Sequence, residues 1–252
     1  MAIAIRKNAE IEKLRAANKI VGGTLDLMRE NTRVGASLKE LDAMAEDYIR
    51  SHGAIPSFKG LYGFPNAVCT SVNEVIIHGI PSDYRLQEGD IIGYDIGTKL
   101  GGYYGDAAIT VGVGQISETD EKLIACSKDS LYHAIENIRD GMRFKELSYL
   151  IQEFILSRGF VPLRDFCGHG IGKQPHEEPQ IPNYLDGGNP KAGPKIKNGM
   201  VFCIEPMICQ KEAKPVILEN GWDVVSKDGL RGSHYEHTVA VVGGKAEILS
   251  QG

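Results

Sequence analysis

Apolar residues at Ile11, Leu14, Val21, Leu25 and Met28 recur every three or four positions, which predicts the buried face of a first amphipathic helix. Ser37 and Glu40 have the spacing of a capping box and open a second helix, with Leu38, Leu41, Ala45, Tyr48 and Ile49 inward and Gly53 as its stop. A long amphipathic pattern returns at residue 118, and a shorter one starts near Phe144 and stops at Gly159. After each helix pair the pattern turns to strands. "DIIGYDIGT" and "YYGDAAITVGV", rich in Ile, Val, Tyr and Thr and separated by "KLGG", predict a β-hairpin; "MVFCIEPMI" and "HYEHTVAVV" predict a second strand pair with a longer connection.

The two halves repeat each other. At an offset of 106, "ENTRVGASLKEL" lies over "ENIRDGMRFKEL" and "YIRSHGAIP" over "FILSRGFVP", and 11 of the 27 positions from Glu30 to Pro56 are identical without a gap. Average composition gives about one or two. A helix pair plus an antiparallel hairpin, used twice, predicts an α+β fold with two halves around a pseudo-twofold axis. The halves run from about 8 to 114 and from about 117 to 244. No Pro/Ser-rich linker divides them, so residues 1–252 are read as a single domain.

The hairpin carries acids. With its turn centred between Leu100 and Gly101, Asp95 faces Asp106, and directly opposed side chains have Cβ atoms about 4.5 to 5.5 Å apart, where like charges destabilise. The second half repeats the problem: "GMVFCIE" over "GDIIGYD" sets Glu205 on Asp95, and "SHYEHTVAVVGG" over "YYGDAAITVGVG" sets Glu236 on Asp106. Four carboxylates in apolar strands are costly without compensating charge. Divalent metal with oxygen and imidazole ligands is the economical remedy. Four carboxylates can hold two such ions about 3.5 to 4 Å apart, an arrangement used for hydrolysis. "HGI" occurs at His78 and again at His169. In "DFCGHGIGKQPHEEP", His169 is flanked by glycines that allow close backbone approach, which makes it the natural imidazole ligand, with His176 nearby. Chain geometry alone does not choose between His78 and His169. The stretch lacks the upstream Gly and the Ser or Thr after Lys of a phosphate loop.

Composition narrows the classes. Hydrophobic residues make up 42%, charged residues 24%, and the net charge is -5, without the basic excess of a DNA or RNA binder. No run approaches the about 20 apolar residues of a membrane span, and the N-terminus has no apolar signal region, so a cytoplasmic address is expected. The five cysteines are odd in number and form no C-x-x-C pair, which argues against disulfides and zinc ribbons.

The strings "CTSVNEVIIHGIP", "GDIIGYDIG", "GYYGDA", "GHGIG" with "HEEP", "GMVFCIEP" and "YEHT", in this order along the chain, resemble those of the type I methionine aminopeptidases, which have the pita-bread fold of the creatinase and prolidase relatives. The resemblance implies two divalent ions per chain (Co, Fe, Mn or Zn), bound by Asp95, Asp106, His169, Glu205 and Glu236. It implies a metal-activated water that attacks the carbonyl of an N-terminal methionine, Glu205 as proton shuttle, and His78 and His176 as groups that hydrogen-bond the scissile amide. The implied methionine pocket is Phe58, Leu61, Phe64 and Cys69, with Trp222 close by. The implied substrates are nascent chains with a small second residue, handled by a monomer in transient contact with the ribosome. This chain departs from the enterobacterial pattern, which has Cys, Tyr and Tyr at the first three pocket positions and Phe at Pro175. "GYDIG" also replaces the commoner "N-x-D-V-T", a change beside the first aspartate that leaves the ligand in place.

The remaining histidines read as bystanders. His52 sits at a helix end and His133 within a helix, while His234 and His237 straddle Glu236 and are read as pointing away from it. Cys69 is expected to pack rather than react. A proline-directed peptidase of the same fold is the nearest rival; such enzymes usually carry an added N-terminal domain, whereas this chain begins directly with the first helix. A relative without metal is disfavoured by five filled ligand positions, and a closed structural metal site by the open His78/His176 face.

Overall fold

A computed structural model describes residues 2–185 and 187–251; Met1, Asp186 and Gly252, which belong to the range read as one domain, lie outside the described residues. The first half runs through α1 (Asn8–Asn31), α2 (Leu38–Ser51), β1 (Ile55–Pro56), β2 (Val68–Val72), β3 (Val75–Ile77), β4 (Ile91–Leu100) and β5 (Tyr103–Gly112). The second opens with α3 (Glu118–Asn137), α4 (Phe144–Ser157), β6 (Val161–Pro162), β7 (Cys167–Gly170) and β8 (Glu177–Pro182). It continues through β9 (Val201–Ile204), β10 (Met207–Cys209), β11 (Pro215–Ile217), β12 (Val224–Ser226), β13 (Gly232–His234), β14 (Glu236–Val242) and β15 (Lys245–Ile248). The 106-residue offset read from the sequence carries α2 onto α4 and β1 onto β6 at both ends of each element.

Ile11, Leu14, Val21, Leu25 and Met28 are all buried along α1, as their spacing requires. On α2, Leu38, Leu41, Ala45 and Ile49 are buried and Tyr48 is half-buried. The capping box is not formed. Ser37 is the N-cap residue but its side chain makes no cap hydrogen bond, and the first two helix donors find backbone partners outside the helix: Leu38 N–H donates to the Tyr84 carbonyl at 3.1 Å and Lys39 N–H to that of Ser82 at 3.2 Å. Glu40 pairs instead with Arg85.

One nine-stranded sheet runs through both halves in the order β1-β4-β5-β14-β9-β7-β8, with β2 beside β4 and β15 beside β14. Its centre has the expected pseudo-symmetry: β2-β4-β5 on one side mirrors β7-β9-β14 on the other. α1 packs on β4 and β5, and α3 on β5, β13 and β14. Leu25, Met28, Leu41 and Ile49 of the first half share one apolar core with Leu131, Leu147, Ile151 and Phe202 of the second. Each such side chain, fully buried, stabilises the fold by roughly 1.5–3 kcal/mol. No helix among the described residues is long and apolar enough to cross a membrane.

The β4–β5 turn sits one residue later than the sequence suggests. Leu100 pairs with Tyr103, so Gly101 and Gly102 are the two turn residues, with φ of 56° and 82°. A two-residue turn of this hand needs positive φ at both positions, which two glycines supply without strain. Asp95 therefore lies opposite Ala108, and Asp106 opposite Gly97. The two acids are diagonal rather than directly opposed, yet a two-residue shift preserves the face to which each points.

Candidate metal centre

Ala108 is the centre of the site. It pairs with Asp95 on β4 and with Glu236 on β14, so those carboxylates flank a methyl group in one row across three strands. Asp106 stands two residues along β5 on the same face. Its backbone is fixed from both sides: its N–H donates to Asn18 of α1 at 3.2 Å, and Thr238 of β14 donates to its carbonyl at 2.7 Å. Glu205 follows the end of β9 and is held by Asn183, which donates to its carbonyl at 2.9 Å. His169, on β7, has Nδ1 3.1 Å from the Gly170 carbonyl and Nε2 3.4 Å from Glu205. Donation by Nδ1–H turns the Nε2 lone pair toward the acids, the arrangement of a metal-ligating imidazole. Its glycine neighbours are required: a Cβ at Gly168 would collide with the Cys203 carbonyl and one at Gly170 with that of Glu178.

Ligand atoms of Asp106, His169, Cys203 and Glu236 all lie within 4.8 Å of one another. Asp95 and Glu205 face the same cavity of about 450 Å³. Asp106 and Glu236 are 4% and 2% exposed, and Asp95 Oδ1, Asp106 Oδ1 and Glu236 Oε1 have no hydrogen-bond partner among the described residues. Burial, followed for three of the acids by mutual repulsion, moves all four carboxyls upward: Asp95 to about 7 and Asp106, Glu205 and Glu236 well above the usual carboxylate range. Burial pushes the imidazoles the other way, His78 to about 4 and His169 and His234 to about 3. Neutral imidazoles beside orphaned carboxyl oxygens fit divalent cations, which supply the missing partners and displace the protons.

His78 sits beside the acids with φ of 61°, a left-handed conformation that is costly for a non-glycine residue and frequent at functional sites. Its ring meets Phe166 edge-on at 5.6 Å. His176 stands at the mouth of the cavity, edge-on to His169 at 4.5 Å and stacked with Tyr62 at 6.1 Å. Phe58, Leu61, Phe64, Cys69 and Trp222 line the apolar wall, where Phe64 and Trp222 meet edge-on at 5.1 Å. Cys69 pairs in register with Asp95; burial and that neighbouring charge push its thiol well up, away from the reactive thiolate.

Two residues enter that the sequence reading did not place there. His234 lies inside the cavity, 3% exposed, with Nε2 unpartnered 3.7 Å from Glu205. The reading that it points away is wrong, since a spacing of two from Glu236 puts both on one face, and Thr110 locks its backbone through two hydrogen bonds. His237 does point away, bonded to Ser250 and Tyr132. Cys203, two residues before Glu205, is the second; its Sγ lies within 4.8 Å of ligand atoms of Asp106, His169 and Glu236 and 3.4 Å from the Thr238 hydroxyl. The same alternation was its signal.

The sequence signature described as "Metallopeptidase family M24" matches residues 12–242. The chain is 62% identical to a methionine aminopeptidase of Helicobacter pylori over 252 residues, covering 100% of both chains. It is 43% identical to methionine aminopeptidase 1 of Bacillus subtilis, covering 96% of each. Among solved structures it is similar to the methionine aminopeptidase of Thermotoga maritima, with a TM-score of 0.96 and 38% identity over 100% of each chain. A prolidase from Pyrococcus furiosus shares the fold, with a TM-score of 0.79 and 24% identity over 98% of this chain and 65% of its own.

Proposed function

The chain belongs to metallopeptidase family M24, and from that membership we propose the following reaction and division of labour. It is a metal-dependent aminopeptidase that removes the initiator methionine from peptides and nascent proteins. The observation that carries the reading is the convergence of four acids, Asp106 and Glu236 buried and Asp95 and Glu205 half-buried, and a neutral imidazole beside an apolar wall.

Asp95, Asp106, His169, Glu205 and Glu236 would hold two divalent ions. When bound, such ions neutralise the cluster, lower the pKa of water and polarise the scissile carbonyl. The chain's own groups do the rest. Phe58, Leu61, Phe64, Cys69 and Trp222 take the methionine side chain and exclude water from it. His78 and His176 hydrogen-bond the scissile amide and stabilise the oxyanion that forms there. Glu205 takes a proton from the attacking water and delivers it to the leaving amine. Metal identity follows availability as much as ligand type, since this donor set suits Mn, Fe, Co and Zn.

The two halves act as one catalytic domain, a reading supported by the sheet that runs through both. Its setting, on the same reading, is the cytoplasm, where a monomer meets nascent chains near the ribosomal exit. Release of the first residue from Met-Ala-Ser, Met-Leu-Ser and Ala-Pro-Ser, after chelation and readdition of each metal, tests the reaction. Met-Ala-Ser should be cut in a metal-dependent way, Met-Leu-Ser poorly and Ala-Pro-Ser not at all. Cleavage of Ala-Pro-Ser alone would assign a proline-directed enzyme instead.

A further inference from the structure

His176 has ring neighbours but no hydrogen bond among the described residues, so its backbone and its contacts with Tyr62 and His169 set where the imidazole points. That backbone belongs to the turn between β7 and β8, residues 171–176, in which Lys173, Gln174 and His176 are exposed. Glu177, next in sequence, ties the turn together: its Oε1 accepts N–H groups from Lys173 at 2.8 Å and Gln174 at 3.2 Å. Its other oxygen is paired with the Arg6 guanidinium, and the two side chains are only 17% and 10% exposed. Arg6 comes from the segment before α1, 171 residues away along the chain.

The segment is itself anchored. Arg6 N–H donates to the Gly199 carbonyl at 2.7 Å. The guanidinium lies against Gly172, where a Cβ would overlap it, and the Gly172 carbonyl accepts the Tyr104 N–H at 2.9 Å. Glu10, on the first turn of α1, lies 3.9 Å from Arg6 and accepts the Tyr103 hydroxyl at 3.2 Å. Arg6 thus links the first turn of α1 to the histidine-bearing turn, and Glu10 and Gly172 tie each of these to the start of β5. A half-buried carboxylate that must also receive two turn N–H groups is best oriented by a cation held at a fixed angle, and a planar guanidinium supplies that better than a flexible ammonium.

We propose that Arg6 is a positioning residue for the reaction: through Glu177 it holds the 171–176 turn so that His176 faces the scissile amide. The proposal rests on the substrate-facing role given to His176 above. Misplacement of a catalytic group by about 1 Å can cost about 100-fold, so Arg6→Ala should lower kcat on Met-Ala-Ser by about 10- to 100-fold. KM should change little, since the methionine pocket is untouched, and bound metal should be unchanged. Arg6→Lys should recover part of the loss, and Glu177→Gln, which keeps an acceptor for the turn but not the charge, should be intermediate.

The decisive experiment is a cycle of Arg6→Ala and His176→Ala, with Arg6→Lys and Glu177→Gln taking the place of Arg6→Ala should that variant not fold. If Arg6 acts through His176, removing it should cost less than about twofold once His176 is gone, because effects along one chain of action do not add. An equal loss in both backgrounds would make Arg6 a general support of the fold and overturn the proposal. Amide hydrogen exchange separates this from failure of the functional reading. Faster exchange at Lys173 and Gln174 in Arg6→Ala supports the clamp even if His176→Ala itself leaves turnover intact, an outcome that would reject the catalytic role of His176. Unchanged exchange at those amides would reject the clamp.

Discussion

The two ribbons that supply the acids share an ancestry of sequence and differ in build. β4 and β5 form an unbroken ladder of ten residues on each strand; inside it Asp95 pairs with β2 and β5, and Asp106 pairs with β4 while the Asn18 and Thr238 side chains take its outward N–H and carbonyl. In the second half the ladder breaks where the acids stand. β9 ends at Ile204, and Glu205-Pro206 follows before β10 joins another sheet; β13 ends at His234 and β14 begins at Glu236. Pro206 cannot donate to a ladder, and its carbonyl is taken up by Ser127 and Tyr235 from the side. The first ribbon is a rigid holder of charge. The second trades regular pairing for side chains that reach into the cavity from a bend, which suits the proton transfer proposed for Glu205.

The two "HGI" histidines give the sharpest way to break that comparison. His169→Ala, in the second half, should lose metal and with it at least about a thousandfold in turnover. His78→Ala, in the first, should keep metal and lose about 100- to 10,000-fold, the range for a positioned acid, base or donor. Metal analysis of the two purified variants with matched single-turnover assays decides it; the reverse pattern would exchange their roles.

Removing metal from the wild-type protein tests the charge balance shared by both ribbons. The four carboxyls have raised pKa values and hold their protons when folded, a stability present below about pH 4 and lost as pH rises through their folded values. His78, His169 and His234 are depressed from 6.5 to about 3 or 4, so their contribution has the opposite sign and is complete by about pH 6.5. The two sets offset each other in acid. Above about pH 6.5 only the carboxyls continue to titrate, and each still protonated costs about 1.4 kcal/mol per pH unit. The metal-free Tm should therefore fall from about pH 6.5 to 8, while the metal-loaded Tm stays nearly level. A metal-free Tm that rises over that window would reject protonated acids as the resting state of the cluster.

His234 sharpens the contrast further, since the residue aligned with it in the first ribbon is Tyr104, which lies under Lys99 at 4.9 Å and outside the cavity. His234→Ala frees one side of Glu205 without touching the cluster at Asp106, His169 and Glu236. Turnover should drop about tenfold with metal content unchanged. Loss of metal would move His234 into the ligand set.

The sequence shows the duplication and the four acids because both depend on residue identity at fixed offsets. The hairpin register differs by two residues from the one its turn sequence suggests, yet Asp95 and Asp106 still share a face, since strand side chains alternate with a period of two. His234 and Cys203 were accessible to the same alternation, counted back from Glu236 and Glu205. Other features were not legible at all. The ladder breaks at Glu205 and Tyr235 arise from competition between two sheets for the same segments. The Arg6–Glu177 pair links distant parts of the chain that no local pattern joins.

The smallest predicted difference between the halves lies at their helix starts, where one motif was legible and misleading. Ser37 and Ser117 both precede helices with an acid three residues later. At α2 the carbonyls of Ser82 and Tyr84 take the first two helix donors, and the Ser37 hydroxyl makes no cap hydrogen bond that its loss could remove. At α3 the Ser117 hydroxyl accepts the Asp120 N–H at 3.2 Å and donates to the Asp120 carboxylate at 2.7 Å, which also receives Arg231 at 2.7 Å. Ser117→Ala should cost about 1 kcal/mol in urea unfolding, within the usual range for a lost cap. Ser37→Ala should stay within about 0.5 kcal/mol of wild type, the scatter of substitutions that touch no such feature. Equal losses at the two positions would mean that Ser37 caps its helix after all, and that the backbone of 82–84 does not relieve it.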